Sequence, residues 1–173
     1  MRKYVITGGP GIGKTSVIEV LASRGFTIVP EAARIIVEEE KLKGSDALPW
    51  RDIGKFQEKV VTRQLALENS IHGNEVFLDR SIIDGYAYCK NAKVPVPQAI
   101  TENARSRYDK VFLLDPIDTY ETDSVRFESL EEGQKIHSAI ISAYKTFGYE
   151  LNTVPRLPPE QRADFIINLL GNK

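Results

Sequence analysis

The run Gly8-Gly9-Pro10-Gly11-Ile12-Gly13-Lys14-Thr15 constrains this chain more than any other stretch. It satisfies the pattern G-x-x-x-x-G-K-[ST] in full, and its flanks agree with it. Tyr4-Val5-Ile6-Thr7 before it is β-branched and aromatic, as a buried strand is. After it, Val17, Val20 and Leu21 share one helical stripe that stops at Gly25. A strand, a glycine loop and a helix in that order make an anion site. Glycines let backbone N–H groups turn inward because no Cβ blocks the turn. The unpaired N–H groups of the helix start add partial positive charge. Gly9, Pro10, Gly11, Ile12, Gly13, Lys14, Thr15 and Ser16 are therefore expected to wrap a nucleotide's phosphates. Lys14 is expected to reach the β- and γ-phosphates, and the Thr15 hydroxyl to ligate Mg²⁺.

The rest of the chain alternates strand and helix patterns, which predicts an α/β fold with a parallel sheet covered on both faces. Short apolar runs at 3–7, 26–29, 75–78, 111–114 and 149–154 read as five strands. The expected form is a three-layer P-loop NTPase sandwich with strand order 2-3-1-4-5. Helices are expected from Thr15 to Arg24, from Ala32 to Lys41 and from Trp50 to Ile71. Further helices are expected after Ser81, up to about Arg107, from Leu130 to Phe147, and from Pro159 to about Leu170. No repeat or linker interrupts the pattern, so residues 1–173 read as one domain.

Composition excludes several function classes. The net charge is −1, which points away from a nucleic-acid partner. A lone cysteine, Cys89, supports neither a disulfide nor a cysteine metal cage, and it reads as a packed small residue. No apolar stretch is long enough to span a membrane and none resembles a signal peptide, so a cytoplasmic protein is expected.

The chemistry-bearing residues fall at strand ends, where open parallel sheets bind ligands. Glu31 follows the second strand and suits a general base on an acceptor hydroxyl. It also suits a plain helix-start acid. Arg34, one turn on, fits either a substrate or phosphate, or a pairing with a surface carboxylate. Asp79 closes the third strand and is the expected partner of Thr15 in holding Mg²⁺. Arg80 beside it is expected to hold a phosphate or orient the substrate; the pair also reads as an N-cap Asp with an incidental Arg. Gln64 interrupts the apolar stripe Ile53, Phe56, Val60, Leu67, Ile71. It reads either as a probe of a substrate's polar edge or as a half-exposed margin residue, and Gln57 has a similar, weaker claim. Asp84 reads as a pocket residue or as a first-turn acid. Residues 117–129 lack apolar period, are rich in acids and contain Arg126, which reads either as a lid with Arg126 reaching the transferred phosphoryl group or as a surface loop with one arginine.

These motifs together resemble the small P-loop kinases that act on nucleosides and nucleotides. More narrowly, they resemble the AAA-type ATPase-domain family near ribosylnicotinamide kinases. The carriers are Gly8 to Thr15, Glu31-Ala32-Ala33-Arg34, Leu78-Asp79-Arg80-Ser81, Thr122 to Arg126, and Gly148-Tyr149 with Val154-Pro155. Asp79-Arg80 resembles the acid-arginine signature of deoxynucleoside and thymidylate kinases, and Glu31 resembles their carboxylate near the acceptor. The lid departs from theirs in carrying one arginine. The resemblance implies transfer of the ATP γ-phosphoryl group to a small-molecule acceptor, with Lys14, Glu31, Asp79, Arg80 and Arg126 catalytic. Arg34, Gln64 and Asp84 would meet the acceptor. The lack of an Asn-Lys-x-Asp string favours ATP while leaving GTP open. The alternative is a nucleotide-binding switch or slow NTPase acting on a protein or lipid partner. A monomer or homodimer is expected rather than a ring.

Overall fold

The computed structural model describes residues 1–116 and 130–171. The elements run β1 (Arg2–Thr7), α1 (Lys14–Ser23), β2 (Ile28–Val29), α2 (Ala32–Lys43), α3 (Ile53–Ser70), β3 (Glu75–Asp79), α4 (Ile82–Ala92), α5 (Gln98–Asn103), β4 (Lys110–Leu114), α6 (Leu130–Thr146), β5 (Leu151–Val154) and α7 (Pro159–Gly171). The five strands form one sheet in the order β2-β3-β1-β4-β5, and every pairing is parallel. The expected α/β architecture and strand order are those observed.

Apolar runs in β1, β3 and β4 are buried on both faces, as strands covered by helices on each side must be. Alternate residues serve opposite layers. Tyr4, Ile6, Phe77, Phe112 and Leu114 pack with Val17 and Leu21 of α1 and Ile166 of α7. Val5, Leu78 and Val111 pack with Val61 of α3, Ile83 of α4 and Ile140 and Tyr144 of α6. Each fully buried side chain of this size contributes about 1.5–3 kcal/mol.

Register places the site. Ile6 of β1 pairs with Asp79, and Val29 of β2 pairs with Leu78. The loops after β1, β2 and β3 therefore leave the sheet at one edge, carrying the glycine loop, Glu31 and Arg80.

Several boundaries differ from the sequence expectation, β5 among them, which begins at Leu151, and three have a visible local cause. β2 begins at Ile28 because the Phe26 amide instead donates to Leu21 O of α1, at 3.2 Å. α3 begins at Ile53 because Asp52 caps it, accepting the Lys55 amide at 3.0 Å. α5 ends at Asn103 because Ser106 takes φ 52° and the Arg107 amide turns to the Tyr149 hydroxyl at 2.8 Å. The expected lid at 117–129, with Arg126, lies outside the described residues.

Candidate active site

The glycine loop joins β1 to α1. Gly13 caps α1 in the left-handed region at φ 81°, with no side-chain cap and no acid in the first turn. The first N–H groups of α1 are thus left for an anion. Gly8 stands at φ 135°, and a Cβ there would approach Leu114 O to 3.2 Å. Lys14 is buried, and its ammonium donates to Gly8 O at 3.2 Å and Gly9 O at 2.5 Å. Burial, aided by Arg80, lowers Lys14 to about 7, against the pull of Glu31, Asp79 and Asp84. Thr15 is exposed beside it, while Gly9, Pro10, Gly11 and Ile12 are buried and Gly13 and Ser16 partly so.

Arg80 is the hub of the charged cluster. Its Nε donates to Glu31 Oε1 at 2.9 Å, and its Nη1 donates to Gly8 O and Asp84 Oδ1, both at 3.1 Å. Its own backbone sits at φ 67°, an unfavourable region for arginine that its contacts must hold in place. Glu31 Oε2 accepts Arg34 Nε at 3.0 Å. Burial pushes the Glu31 carboxyl up, but Arg80, Lys14 and Arg34 together hold it below its usual value. Arg34 does pair with a carboxylate, but the expected surface partner is corrected: the partner is Glu31 of the cleft wall, whose side chain is 15% exposed.

Asp79 and Asp84 have opposite surroundings. Asp84 Oδ1 accepts Thr7 Oγ1 at 2.6 Å as well as Arg80, while Oδ2 accepts the Ser81 amide at 3.0 Å and the Tyr144 hydroxyl at 2.7 Å. With Ser81 it forms a capping box on α4. Asp79 is 6% exposed, and its Oδ1 is buried with no hydrogen-bond partner. Burial first, and then Glu31, push Asp79 up to about 6 despite Lys14, Arg80 and Arg34. An orphaned carboxylate oxygen at the strand end beside the loop fits a hard cation or its bound water. Among the described residues no group of three His, Cys, Asp or Glu can cage a metal alone. Thr15 and Asp79 would therefore share Mg²⁺ with phosphate oxygens and water.

From this cluster an open cleft runs between the loop, α2, α3 and α4. Gly11, Lys14, Thr15, Glu31 and Arg80 line it together with the apolar Val37, Ile53, Phe56 and Val60, and with Tyr88, whose ring centroid lies 5.7 Å from the Arg80 guanidinium. Gln57 and Gln64 of α3 also line it, and both are buried, so the half-exposed reading of Gln64 is corrected. Gln64 Nε2 donates to Glu68 Oε1 at 3.2 Å and more loosely to Arg80 O at 3.5 Å. Glu68 is itself fixed by Lys3 Nζ at 3.0 Å, Arg107 Nε at 2.7 Å and the Tyr108 hydroxyl at 3.1 Å. These long-range partners are why a polar side chain can sit on a buried face.

Two residues touching the loop carry no local sequence signal. His137 of α6 accepts the Gly9 amide on Nδ1 at 3.1 Å. Arg162 of α7, 2% exposed, donates to Ile12 O and Asp115 O, both at 2.8 Å, and to Pro155 O at 3.2 Å.

The family model described as AAA domain matches residues 3–162. Among curated proteins no sequence relative matches. Among solved structures, the NadR protein in complex with NR is similar, with TM-score 0.71 and 17% identity over 99% of this chain. This chain covers 51% of that one, about half its length. Deoxyadenosine kinase from M. mycoides with products dCMP and a flexible dCDP follows, with TM-score 0.65, 16% identity, and coverage of 99% of this chain and 100% of that one. Shikimate kinase from Aquifex aeolicus VF5 matches with TM-score 0.56, 18% identity, and coverage of 99% and 98%. At these identities the likeness is one of fold.

Proposed function

The chain belongs to the AAA-domain family whose model spans residues 3–162, and on that premise we propose that it is a small-molecule kinase. It moves the γ-phosphoryl group of ATP to a nucleoside, nucleotide or related metabolite. One observation carries this reading: a single cleft is lined both by the phosphate loop and by apolar side chains, with Glu31 and Arg80 in the same wall. A switch acting on a large partner has no need of a partly apolar cleft beside its phosphates.

Loop amides and the α1 start hold the phosphates. Lys14 leaves the Gly8 and Gly9 carbonyls to meet them, and the anion restores its full charge. Arg80 already spans Glu31 and Gly8, so it bridges acceptor and phosphate. Mg²⁺, held through Thr15 and Asp79, would neutralise charge on the phosphate oxygens. Glu31, kept charged by three cations, orients the acceptor hydroxyl and takes its proton late. A weak base suffices because phosphoryl transfer rests mainly on positioning and charge stabilisation. Arg34 holds Glu31 in place, Asp84 holds Arg80, and Gln57 and Gln64 read the acceptor's polar edge. Arg126 is proposed to reach the phosphates from the 117–129 segment.

Labelled ATP incubated with a panel of nucleosides, nucleotides and small hydroxylated metabolites tests this. Transfer to one acceptor is expected, falling about 100-fold or more in Glu31→Gln with ATP affinity kept. Release of inorganic phosphate alone, indifferent to Glu31, would replace the kinase with the switch or slow NTPase.

A further inference from the structure

The Gly8–Gly9 peptide unit is held at both ends. Its carbonyl, Gly8 O, accepts Lys14 Nζ at 3.2 Å and Arg80 Nη1 at 3.1 Å. Its amide, Gly9 N, donates to His137 Nδ1 at 3.1 Å. The unit is planar, so fixing the amide end also fixes where the carbonyl points. α6 sits tight against this turn. A Cβ on Gly9 would lie 3.0 Å from Gly133 O and 3.1 Å from His137 Cβ. The α6 backbone at His137 is therefore held close to the loop, within reach of the Gly9 amide.

We propose that His137 is a positioning residue for the phosphate loop: its neutral ring, protonated on Nε2, holds the Gly8–Gly9 turn in the shape that receives a nucleotide, and protonation of the ring releases it. The proposal rests on the nucleotide-binding reading above. When Lys14 swings to the phosphates, Gly8 O loses one of its two cations. The amide end then depends on His137. A protonated Nδ1 would instead face the Gly9 N–H as a second donor, turning attraction into repulsion. Among the described residues, the charges bearing on the ring are Asp115, which favours protonation, and Lys14, which opposes it. Burial is the largest influence and with Lys14 lowers His137 from its usual value, which keeps the ring neutral near pH 7.

The test compares full-length wild type, His137→Asn and His137→Leu for ADP binding by calorimetry from pH 5.5 to 8. Asn offers an acceptor near the Nδ1 position that does not titrate. At pH 8, Leu is expected to bind about three- to tenfold more weakly than wild type, and Asn to recover most of that loss. Toward pH 5.5, wild type should lose affinity by a similar factor beyond the loss seen in Asn, whose other titrating groups are the same. Parallel acid limbs in wild type and Asn would overturn the proposal. In the nucleotide-free protein, ¹⁵N shifts of the His137 ring should show Nδ1 unprotonated at pH 8, with the Gly9 amide following the ring's titration. A proton on Nδ1 would overturn it as well. Failure of wild type to bind ADP would sink the nucleotide reading instead, and the imidazole shifts would still decide what His137 does to the loop.

Discussion

The fold disfavours the charged forms of Lys14 and Asp79, and this has measurable consequences. Asp79 is raised from 3.8 to about 6, so the folded state keeps a proton that the unfolded chain has lost. Its contribution to stability is present below pH 3.8 and is lost as pH rises through 6. Asp79→Asn should therefore stabilise the nucleotide-free protein above pH 6 by about 1–3 kcal/mol, read by denaturant melts, while weakening Mg²⁺-dependent nucleotide binding. Loss of stability at pH 8 would refute the account. Asp79 and Arg80 were legible as a strand-end pair from sequence. That Asp79 has a free oxygen while Asp84 has none was not, because Thr7 and Tyr144 reach Asp84 from distant elements.

Helices α3 and α4 form walls of the cleft proposed to take the acceptor, and each joins it to the scaffold. Asp84 links the α4 cap to β1, α6 and Arg80, so Asp84→Ala leaves part of the Arg80 charge unpaired. It should destabilise the fold by about 3 kcal/mol in chemical unfolding. A change under 1 kcal/mol would show that the link is loose. Gly85 brings α4 close to α3: a Cβ there would meet Gln57 Oε1 at 2.9 Å and Ile100 Cδ1 at 3.4 Å. Gly85→Ala is expected to displace Gln57 and raise the acceptor KM about tenfold, with ATP affinity unchanged. Equal effects on both ligands would mean that α4 shifts as a body. The α3 stripe was legible in its spacing, since Phe56, Val60 and Gln64 do face inward. That Glu68 shares the buried face was not, because it draws its partners from Lys3 and Arg107, far along the chain.

Across the molecule, the loop is a joint between strands and helices remote in sequence. A nucleotide that binds only the folded form at 100 times its Kd adds about 2.7 kcal/mol of stability. A chain of this size should then melt about 5–10 °C higher. Lys14→Met should abolish most of that rise in a thermal melt with MgATP, and an undiminished rise would show that the nucleotide binds elsewhere. The sequence alone determined the alternation of strand and helix and the loop. Both follow from local chemistry: apolar runs at strand or helix period, and glycine where φ is positive. The order of the sheet was expected, and one handedness for parallel crossovers narrows the choices without fixing it. Only the tertiary structure decided which oxygens are free and what clasps the loop. His137 is 128 residues from Gly9, and Arg162 is 150 residues from Ile12. Partnerships over that span leave no periodic trace, because they exist only once β1, β4, α6 and α7 are packed together.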